Sequence, residues 1–426
     1  MVMYMREMKD SGLPWLGKIP SEWRYIKLKT YYSFEKGKNA QKYTVDYIGQ
    51  HDGQYPVYSG QTENNGVMGT IDSFDYDIPE CLFSTTVGAK VMTPKILSGK
   101  FSLSQNCLIM KQVKECNNHF MFYYLHPLFD YEKGSIPSYM QPSLRVEDLK
   151  KYGFFIPDIF EQKCIADFLD SKCAEIDALS ADIQSEIDTL ETYKRSVITE
   201  TVTKGLDKTV PMKDSGIEWV GEIPANWVMQ RGKYVFEQKS DRGNSKSLVL
   251  LSPTQNYGVI PQDLYEELSG FSAVKLNEKT DLNSLKTVHK GAFVISLRSF
   301  QGGFEYSEYE GVVSPAYQVF YPTIPVCDRY YKYLFKTQIF IDKMNSYTMS
   351  LRDGKNIAFA DFGRTYIPIP PVDEQTRIAN YLDDICTQLN DVIIQKQEQL
   401  AVLANYKKSV IFEYVTGKKE VSYGNI

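Results

Sequence analysis

The chain has 426 residues, of which 43% are hydrophobic and 24% are charged, and its formal net charge is −5 at pH 7. This composition excludes a disordered or fibrous protein, and the length suffices for two or three globular domains. No apolar run reaches the roughly eighteen residues of a membrane-spanning helix. The N-terminal stretch "MVMYMREMKD" lacks the apolar core of a signal peptide, so we expect a cytoplasmic protein with no membrane partner.

The acidic residues are concentrated in two segments. Residues 156–204 hold 11 acids and 5 bases, residues 369–417 hold 7 acids and 4 bases, and the rest of the chain therefore carries +4. The overall charge argues against a nucleic-acid partner, whereas this distribution is compatible with one. Seven scattered cysteines without a C-x-x-C pair, and four histidines without a metal-ligand spacing, indicate neither a disulfide framework nor a metal site.

One phrase occurs twice. "MKDSGLPWLGKIPSEW" at 8–23 matches "MKDSGIEWVGEIPANW" at 212–227 in 10 of 16 positions. The first copy has the G-x-x-x-x-G-K skeleton of a phosphate-binding loop, but Ile19 follows the lysine where Ser or Thr is needed, and Glu222 replaces the lysine in the second copy. We interpret the phrase as a structural lead-in, in which tryptophans and Ile-Pro turns fix the start of a domain.

A second pair of similar segments shows that the whole chain is a tandem repeat. "IPDIFEQKCIADFLD" at 156–170 aligns with "IPPVDEQTRIANYLD" at 369–383. We predict a first globular block at 1–156, a long helix at 157–206, a second block at 207–369 and a second helix at 370–426. Short β-type runs between glycine and asparagine turns, followed by helical patches, predict a mixed α/β fold for each block, with a topology that the sequence does not specify.

Both helical segments carry apolar residues every seven positions, which is typical of a coiled coil. The two seams could each pack on their own block, but their matched length favours antiparallel pairing of one helix with the other. We expect the first helix to cover about 162 to 203, between Pro157 and Gly205. The residues predicted to form the interface between the helices, and with partners, are Leu169, Cys173, Ile176, Ile183, Ile187, Leu190, Leu382, Cys386, Leu389, Ile393, Leu400 and Leu403.

Catalytic motifs are not found. "PDIFEQK" at 157–163 has the acids and lysine of a nuclease site, but only two residues separate Asp158 from Glu161, so a helix start is the better interpretation. No amino-methyltransferase motif of the type Asn/Asp-Pro-Pro-aromatic occurs. Two similar blocks and two rods suit a ligand with two separated half-sites, such as double-stranded DNA.

The chain resembles the specificity subunit of type I restriction–modification systems over essentially its whole length. The resemblance lies in the two lead-in phrases, in "IPIPPVDEQTRIANYLD" and in "VISLRSFQGGFEYSEYEGVVSPAY" at 294–317. It implies two target recognition domains, each reading half of a split DNA sequence, joined by antiparallel spacer helices that dock two methyltransferase subunits. Those partners would use S-adenosylmethionine, and restriction subunits would add ATP- and Mg²⁺-dependent cleavage, so this chain would hold no cofactor and have no activity of its own.

Base edges are read by Arg, Lys, Asn, Gln and Ser/Thr side chains, and phosphates are held by basic and hydroxyl groups. Loops of the two blocks offer such residues, and Arg298, Ser299 and Gln301 directly follow an apolar strand. The predicted DNA-binding residues are Ser59, Gln61, Asn64, Lys90, Tyr139, Gln141, Arg145, Tyr257, Arg298, Ser299, Gln301, Arg352 and Lys355. The alternative function is a non-catalytic tandem-domain protein that binds a protein or carbohydrate ligand.

Overall fold

The computed structural model describes residues 6–61, 64–88, 90–137, 139–242, 249–271, 282–296, 303–347 and 357–421. It divides the chain into two compact units. Unit 1 comprises residues 1–184 and 397–426, and unit 2 comprises residues 185–396. Each is a mixed α/β unit, as predicted.

Unit 1 is built around a six-stranded sheet with the order β4-β9-β7-β8-β5-β6, accompanied by the antiparallel pairs β1–β2 and β3–β10. Its elements are β1 (Met8–Asp10), β2 (Lys18–Pro20), β3 (Arg24–Lys27), α1 (Leu28–Tyr31), β4 (Tyr32–Lys36), α2 (Val45–Gln50), β5 (Tyr55–Tyr58), β6 (Val67–Ile71), β7 (Tyr76–Thr85), β8 (Pro94–Leu103), β9 (Cys107–Gln112), α3 (Asn118–Gly134), α4 (Val146–Lys151), β10 (Gly153–Ile156) and the start of α5 (Ile159–Lys204).

Unit 2 contains a four-stranded sheet with the order β14-β21-β18-β19 and the pairs β11–β12, β13–β22, β15–β16 and β17–β20. Its elements are β11 (Met212–Asp214), β12 (Glu222–Pro224), β13 (Val228–Arg231), β14 (Phe236–Lys239), β15 (Leu251–Thr254), β16 (Gly258–Pro261), α6 (Gln262–Ser269), β17 (Lys286–Val288), β18 (Phe293–Ile295), β19 (Phe304–Tyr306), β20 (Gly311–Val313), β21 (Gln318–Pro322), α7 (Asp328–Leu334), α8 (Gln338–Asn345), α9 (Phe359–Arg364), β22 (Tyr366–Ile369) and the start of α10 (Val372–Val415).

The two sheets have the same core topology. The order β4-β9-β7-β8 in unit 1 corresponds strand for strand to β14-β21-β18-β19 in unit 2. The loop between β7 and β8 therefore corresponds to the loop between β18 and β19. The tandem repeat seen in the sequence extends to the order of the strands.

The two long helices are present as predicted, and each ends at a glycine in the left-handed region. Gly205 has φ +76° and Gly417 has φ +67°, and Lys418 N donates to Glu413 O at 2.8 Å, which caps the last carbonyls of α10. The first helix begins at Ile159, where the Asp158 carboxylate accepts the Glu161 N–H at 2.9 Å. Asp158 is thus a helix N-cap, which agrees with the interpretation of this segment as a helix start, and strand β10 directly precedes it.

Within each unit, segments of α5 and α10 run antiparallel. In unit 1 the rings of Phe168 and Tyr414 lie 4.4 Å apart, and the Lys407 ammonium is 2.7 Å from the Asp177 carboxylate. In unit 2 Lys194 donates to the Asn390 side chain at 2.6 Å, and Lys396 pairs with the Glu186 carboxylate. Within each unit, residues later in α5 contact residues earlier in α10, as antiparallel helices do.

The lead-in phrase forms a β-hairpin in both units. Met8 pairs with Pro20 and Met212 pairs with Pro224, so the Ile-Pro dipeptides lie in strands, and the prediction of Ile-Pro turns was wrong. The ammonium of Lys9 donates to the carbonyl of Ser21 at 2.6 Å, which closes the hairpin. The repeated residues of the phrase therefore stabilise the backbone conformation of the hairpin.

A buried tryptophan follows each hairpin and enters the core of its unit. Trp23 and Trp227 pack against the aromatic residues of α3 and α7 respectively, with Trp23 facing Phe120 and Trp227 facing Tyr330. These two equivalent contacts therefore involve four of the largest fully buried side chains of the described residues. The helical patch that the sequence predicts late in the second block consists of two helices, α7 and α8, because the Thr337 side chain caps the N-terminus of α8 by accepting the Phe340 N–H.

Candidate nucleic-acid interface

Three segments of unit 1 that carry predicted DNA-binding residues lie side by side. They are the turn 59–66 between β5 and β6, the loop 86–93 between β7 and β8, and the stretch 141–145 before α4. Val87 forms an antiparallel bridge with Ser143, and Leu144 N donates to Thr86 O at 2.9 Å. A Cβ on Gly60 would lie 3.5 Å from the carbonyl oxygen of Val87. The fold therefore brings together Ser59, Gln61, Asn64, Lys90, Gln141 and Arg145, which are scattered in the sequence.

These segments hold all three positive-φ residues other than glycine in the described part of the chain. Asn64 has φ 46°, Asn65 has φ 51° and Met92 has φ 55°. The left-handed conformation costs a residue with a Cβ about 1–2 kcal/mol, and asparagine tolerates it best. Such strained backbone persists only where its surroundings determine it, and it is concentrated at binding sites.

Positive charge dominates the described side chains of this cluster. Burial lowers the pKa of Lys95 on β8 below its usual value, and the neighbouring charge of Lys90 lowers it further. Among the residues that the structure describes, neither lysine nor Arg145 forms an ion pair with a carboxylate. Such a cluster favours an anionic ligand.

The predicted residues differ in how accessible they are. The Ser59 hydroxyl is buried and accepts the Gln61 N–H at 3.3 Å, so it shapes the turn. Gln61 and Asn64 both donate to the Val67 carbonyl, although each also has an exposed side chain. Tyr139 is 86% exposed, at the tip that precedes residues 141–145. Arg145, the N-cap of α4, donates its backbone N–H to Asp148 at 3.0 Å.

In unit 2 the exposed Tyr257 lies in the turn between β15 and β16. The other predicted residues of that unit, Arg298, Ser299, Gln301, Arg352 and Lys355, lie outside the described residues. The first three follow β18 in the sequence, in the loop whose topological counterpart in unit 1 carries Lys90.

The predicted residues of the helix seams are buried to different degrees. Fully buried are Leu169, Cys173, Ile176, Ile183, Ile187, Leu382, Cys386, Leu389 and Ile393, and half-buried are Leu190, Leu400 and Leu403. A groove of about 870 Å³ runs beside the seam of unit 1, lined by α3, by α5 near Cys173, by α10 near Lys407 and by Trp15.

The sequence analysis missed two buried glutamines that join the long helices to the units. The amide of Gln162 donates to Pro157 O at 3.0 Å, and its oxygen accepts the Asn117 N–H at 3.0 Å. In unit 2 Gln375 donates to Pro370 O at 2.8 Å and accepts the Cys327 N–H at 2.8 Å. The signal was available, since both glutamines stand in the repeated segment.

The structure describes both segments for which the sequence argued against a site, namely the phosphate-binding loop in the first lead-in phrase and the nuclease site at 157–163. The loop 11–17 closes on itself through the bond from Gly17 N to Leu13 O at 3.0 Å, so this backbone amide is occupied within the hairpin. Glu161 is engaged in an ion pair with Arg6 at 2.6 Å. In the described ranges no cluster of His, Cys, Asp and Glu could hold a metal ion, and no helix is long and apolar enough to cross a membrane.

Comparisons with known proteins agree with this architecture. The family model of the type I restriction modification DNA specificity domain matches residues 20–189 and 224–401. A type I specificity subunit of Mycoplasma pneumoniae is 31% identical over 168 residues, which are 38% of this chain and 42% of that protein. The MjaX type I restriction enzyme specificity subunit of Methanocaldococcus jannaschii is 23% identical over 95% of this chain and 96% of its own length.

A solved structure of a type I restriction–modification system has the same fold. One of its chains aligns with a TM-score of 0.66 at 13% identity, covering 94% of this chain and 99% of that chain. The match to the first relative covers less than half of that protein, whereas the other two matches cover nearly whole chains. The tandem protein- or carbohydrate-binding alternative finds no support among these matches. Because the family model matches both halves, the chain belongs to the family of type I restriction–modification DNA specificity proteins.

Proposed function

We propose that this chain is the DNA-recognition subunit of a type I restriction–modification complex, in which each unit reads one half of a bipartite double-stranded DNA sequence. The observation that carries the proposal is the pair of sheets with the same strand order, in which the loop between β7 and β8 corresponds to the loop between β18 and β19. In unit 1 that loop meets two other polar segments and carries unpaired positive charge among the described residues.

The chemistry of the cluster suits contact with duplex DNA. Lys90 and Arg145 are long cations at its surface and would bind phosphates. Gln61, Asn64 and Gln141 carry the amide groups that read base edges, and the exposed ring of Tyr139 could stack. In unit 2 the corresponding roles fall to Tyr257 and to the residues predicted from the sequence. Phosphate contacts by these cations make binding strongly salt-dependent.

The long helices α5 and α10 would act as spacers and as docking elements. We infer that two methyltransferase subunits bind them and supply adenine methylation with S-adenosylmethionine, and that restriction subunits add ATP- and Mg²⁺-dependent cleavage in the cytoplasm. The chain itself would neither methylate nor cut DNA.

The test is methylation mapping by long-read sequencing in cells that express the methyltransferase subunit with or without this chain. We expect one bipartite adenine-methylated motif that requires both proteins. The purified chain alone should shift DNA that contains this motif but leave it unmodified. No new motif in the presence of both proteins, or methylation by the chain alone, would contradict the proposal.

The spacer role has its own experiment. One heptad inserted after Gln184 and a second before Gln397 would keep the antiparallel register and lengthen the paired helices by about 10 Å, or about three base pairs. We expect the two half-sites to stay the same and the gap between them to grow by about three. An unchanged gap with intact methylation would show that the helices do not set the spacing.

A further inference from the structure

Two charged residues occupy corresponding positions in the two sheets. Lys95 on β8 pairs with Phe83 of β7, and Glu305 on β19 pairs with Val294 of β18. Each of these rows of paired residues continues across the sheet to Glu35 of β4 in unit 1 and to Lys239 of β14 in unit 2, which are separated by the same 204 residues as the two lead-in phrases. Lys95 and Glu305 therefore stand at the same ladder position, on the strand that leaves the predicted recognition loop.

In unit 1 the charge holds the strained turn of the neighbouring hairpin. The Lys95 ammonium donates to the backbone carbonyl of Asn65 and, at 3.0 Å, to the oxygen of its side chain. A Cβ on Gly66 would lie 2.9 Å from the same nitrogen atom, so the turn lies directly against the lysine. Lys95 thus fixes the turn 59–66 against the strand that follows the loop 86–93.

In unit 2 a different chemistry makes the corresponding connection. The Glu305 side chain is 2% exposed and accepts a hydrogen bond from the Lys336 ammonium at 2.7 Å. Lys336 also lies 3.3 Å from the carbonyl oxygen of Gln255, in the turn that carries Tyr257. The pair therefore joins the turn between β15 and β16 to the strand that follows the loop between β18 and β19.

Stability alone is a poor explanation for the Glu305–Lys336 pair. A buried ion pair costs so much desolvation that apolar residues of similar volume are often equally stable. One Glu305 oxygen has no hydrogen-bond partner among the described residues, which adds to the cost. A charge that fixes one defined geometry is useful where two segments must present their side chains together.

We propose that Lys95 in unit 1 and the Glu305–Lys336 pair in unit 2 are positioning residues for DNA recognition. Each locks the turn of an accessory hairpin to the recognition hairpin of its unit, so that both segments meet the same half-site. The inference rests on the proposed function, since it assigns these residues to the reading of a half-site. Neither Lys95 nor the Glu305–Lys336 pair would contact the DNA itself.

The experiment uses the complete complex with the methyltransferase subunit. Lys95→Met and Lys336→Met keep the aliphatic stem of each side chain and remove the ammonium. We expect each substitution to reduce methylation of the cognate motif about tenfold and to relax discrimination at one half-site only, a different half for each variant. Tenfold corresponds to about 1.4 kcal/mol, within the range of one good base contact.

Matched controls are lysines of partly exposed ion pairs, one on β9 of unit 1 and one on α7 of unit 2. Lys111→Met removes the pair with Glu35 in unit 1, and Lys332→Met removes the pair with Glu308 in unit 2. Neither side chain touches the turns, so both variants should keep the motif and its rate. Lys95→Arg can still donate to Asn65 and should restore the discrimination that Lys95→Met loses.

The outcomes separate the two proposals. If the wild-type complex methylates no bipartite motif, the proposed function fails whatever the variants do. If the wild type does so and both methionine variants keep full rate and discrimination, the positioning role is overturned. Equal losses at both half-sites, or loss of the methyltransferase subunit on co-purification, would assign these lysines to stability alone and would also overturn it.

Discussion

The two units attach the long helices through the same buried glutamine, but a carboxylate on each helix has different partners. Gln162 and Gln375 each bridge a proline carbonyl and a backbone N–H. By contrast, the carboxylate that follows on each helix has different partners in the two units. Asp170 contacts His119 at 2.7 Å, whereas Asp383 pairs with Arg329.

The difference shows which positions a duplicated architecture can change. A side chain that satisfies buried backbone groups needs a donor and an acceptor at fixed places, which the glutamine amide provides. A partly exposed carboxylate accepts any nearby donor, so histidine and arginine can replace one another there. The hydroxyls of Tyr123 and Tyr333 donate to these two carboxylates at 2.9 and 2.6 Å, so this part of the arrangement is common to both units.

The largest effect should come from the shared feature. Gln375→Ala would leave the Cys327 N–H and the Pro370 carbonyl without partners in the core, since Gln375 is fully buried. We expect a loss of about 3 kcal/mol, as each orphaned group costs about 1–3 kcal/mol. Gln162→Ala should cost a similar amount in unit 1. Urea denaturation combined with hydrogen–deuterium exchange of α7 and α3 measures the loss separately for each unit.

The exposed Gln388 on the same helix supplies the control, because Gln388→Ala removes a side chain of the same size at the surface. We expect a change below about 0.5 kcal/mol there. If Gln375→Ala and Gln388→Ala were equally mild, the glutamine would not be the common attachment of the helices.

The two units also differ in how burial shifts the pKa of a titratable side chain. In unit 1 burial lowers the pKa of the half-buried His126 to about 4, because partial removal of the ring from water disfavours its charged form. In unit 2 burial raises the pKa of Glu305 to about 7, although Lys336 opposes the shift. Folding therefore disfavours the protonated form of His126 in unit 1 and favours the protonated form of Glu305 in unit 2.

The two units should consequently respond to pH with opposite signs. Unfolded histidine titrates near pH 6.5, so unit 1 should lose about 2 kcal/mol between pH 7.5 and 5 through His126. Glu305 titrates near 4.5 when unfolded, so its contribution should favour folding of unit 2 as the pH falls from 7 towards 4.5. Exchange rates of buried amides in each unit at the two pH values measure these changes.

Single substitutions isolate the two groups. His126→Leu should flatten the pH dependence of unit 1, and Glu305→Gln should flatten that of unit 2, while each leaves the other unit unchanged. Parallel pH profiles for wild type and His126→Leu would assign the acid sensitivity of unit 1 to other groups.

The sequence predicted the architecture better than the site. The two similar units were predicted from the repeated phrases, and the two long helices from the apolar residues that recur every seven positions. The strand order could not be predicted, because the pairing of β8 with β5 joins segments about forty residues apart without a local signal. Lys95 and Glu305 were missed because their equivalence lies in the ladder register, whereas the two residues share no sequence motif.

The smallest effect should follow from exchanging the partners of the two carboxylates. Arg329→His would replace a permanent cation with one that is charged only when protonated, and His119→Arg would do the reverse in unit 1. Both pairs are more than one-third exposed, so water weakens them, and we expect changes below about 1 kcal/mol at pH 8. Arg329→His should destabilise unit 2 at pH 8 and less so at pH 6, whereas His119→Arg should slightly stabilise unit 1 at pH 8. Thermal unfolding at the two pH values checks both signs. Equal effects of Arg329→His at pH 6 and pH 8 would mean that packing of the side chain, not its charge, holds this position.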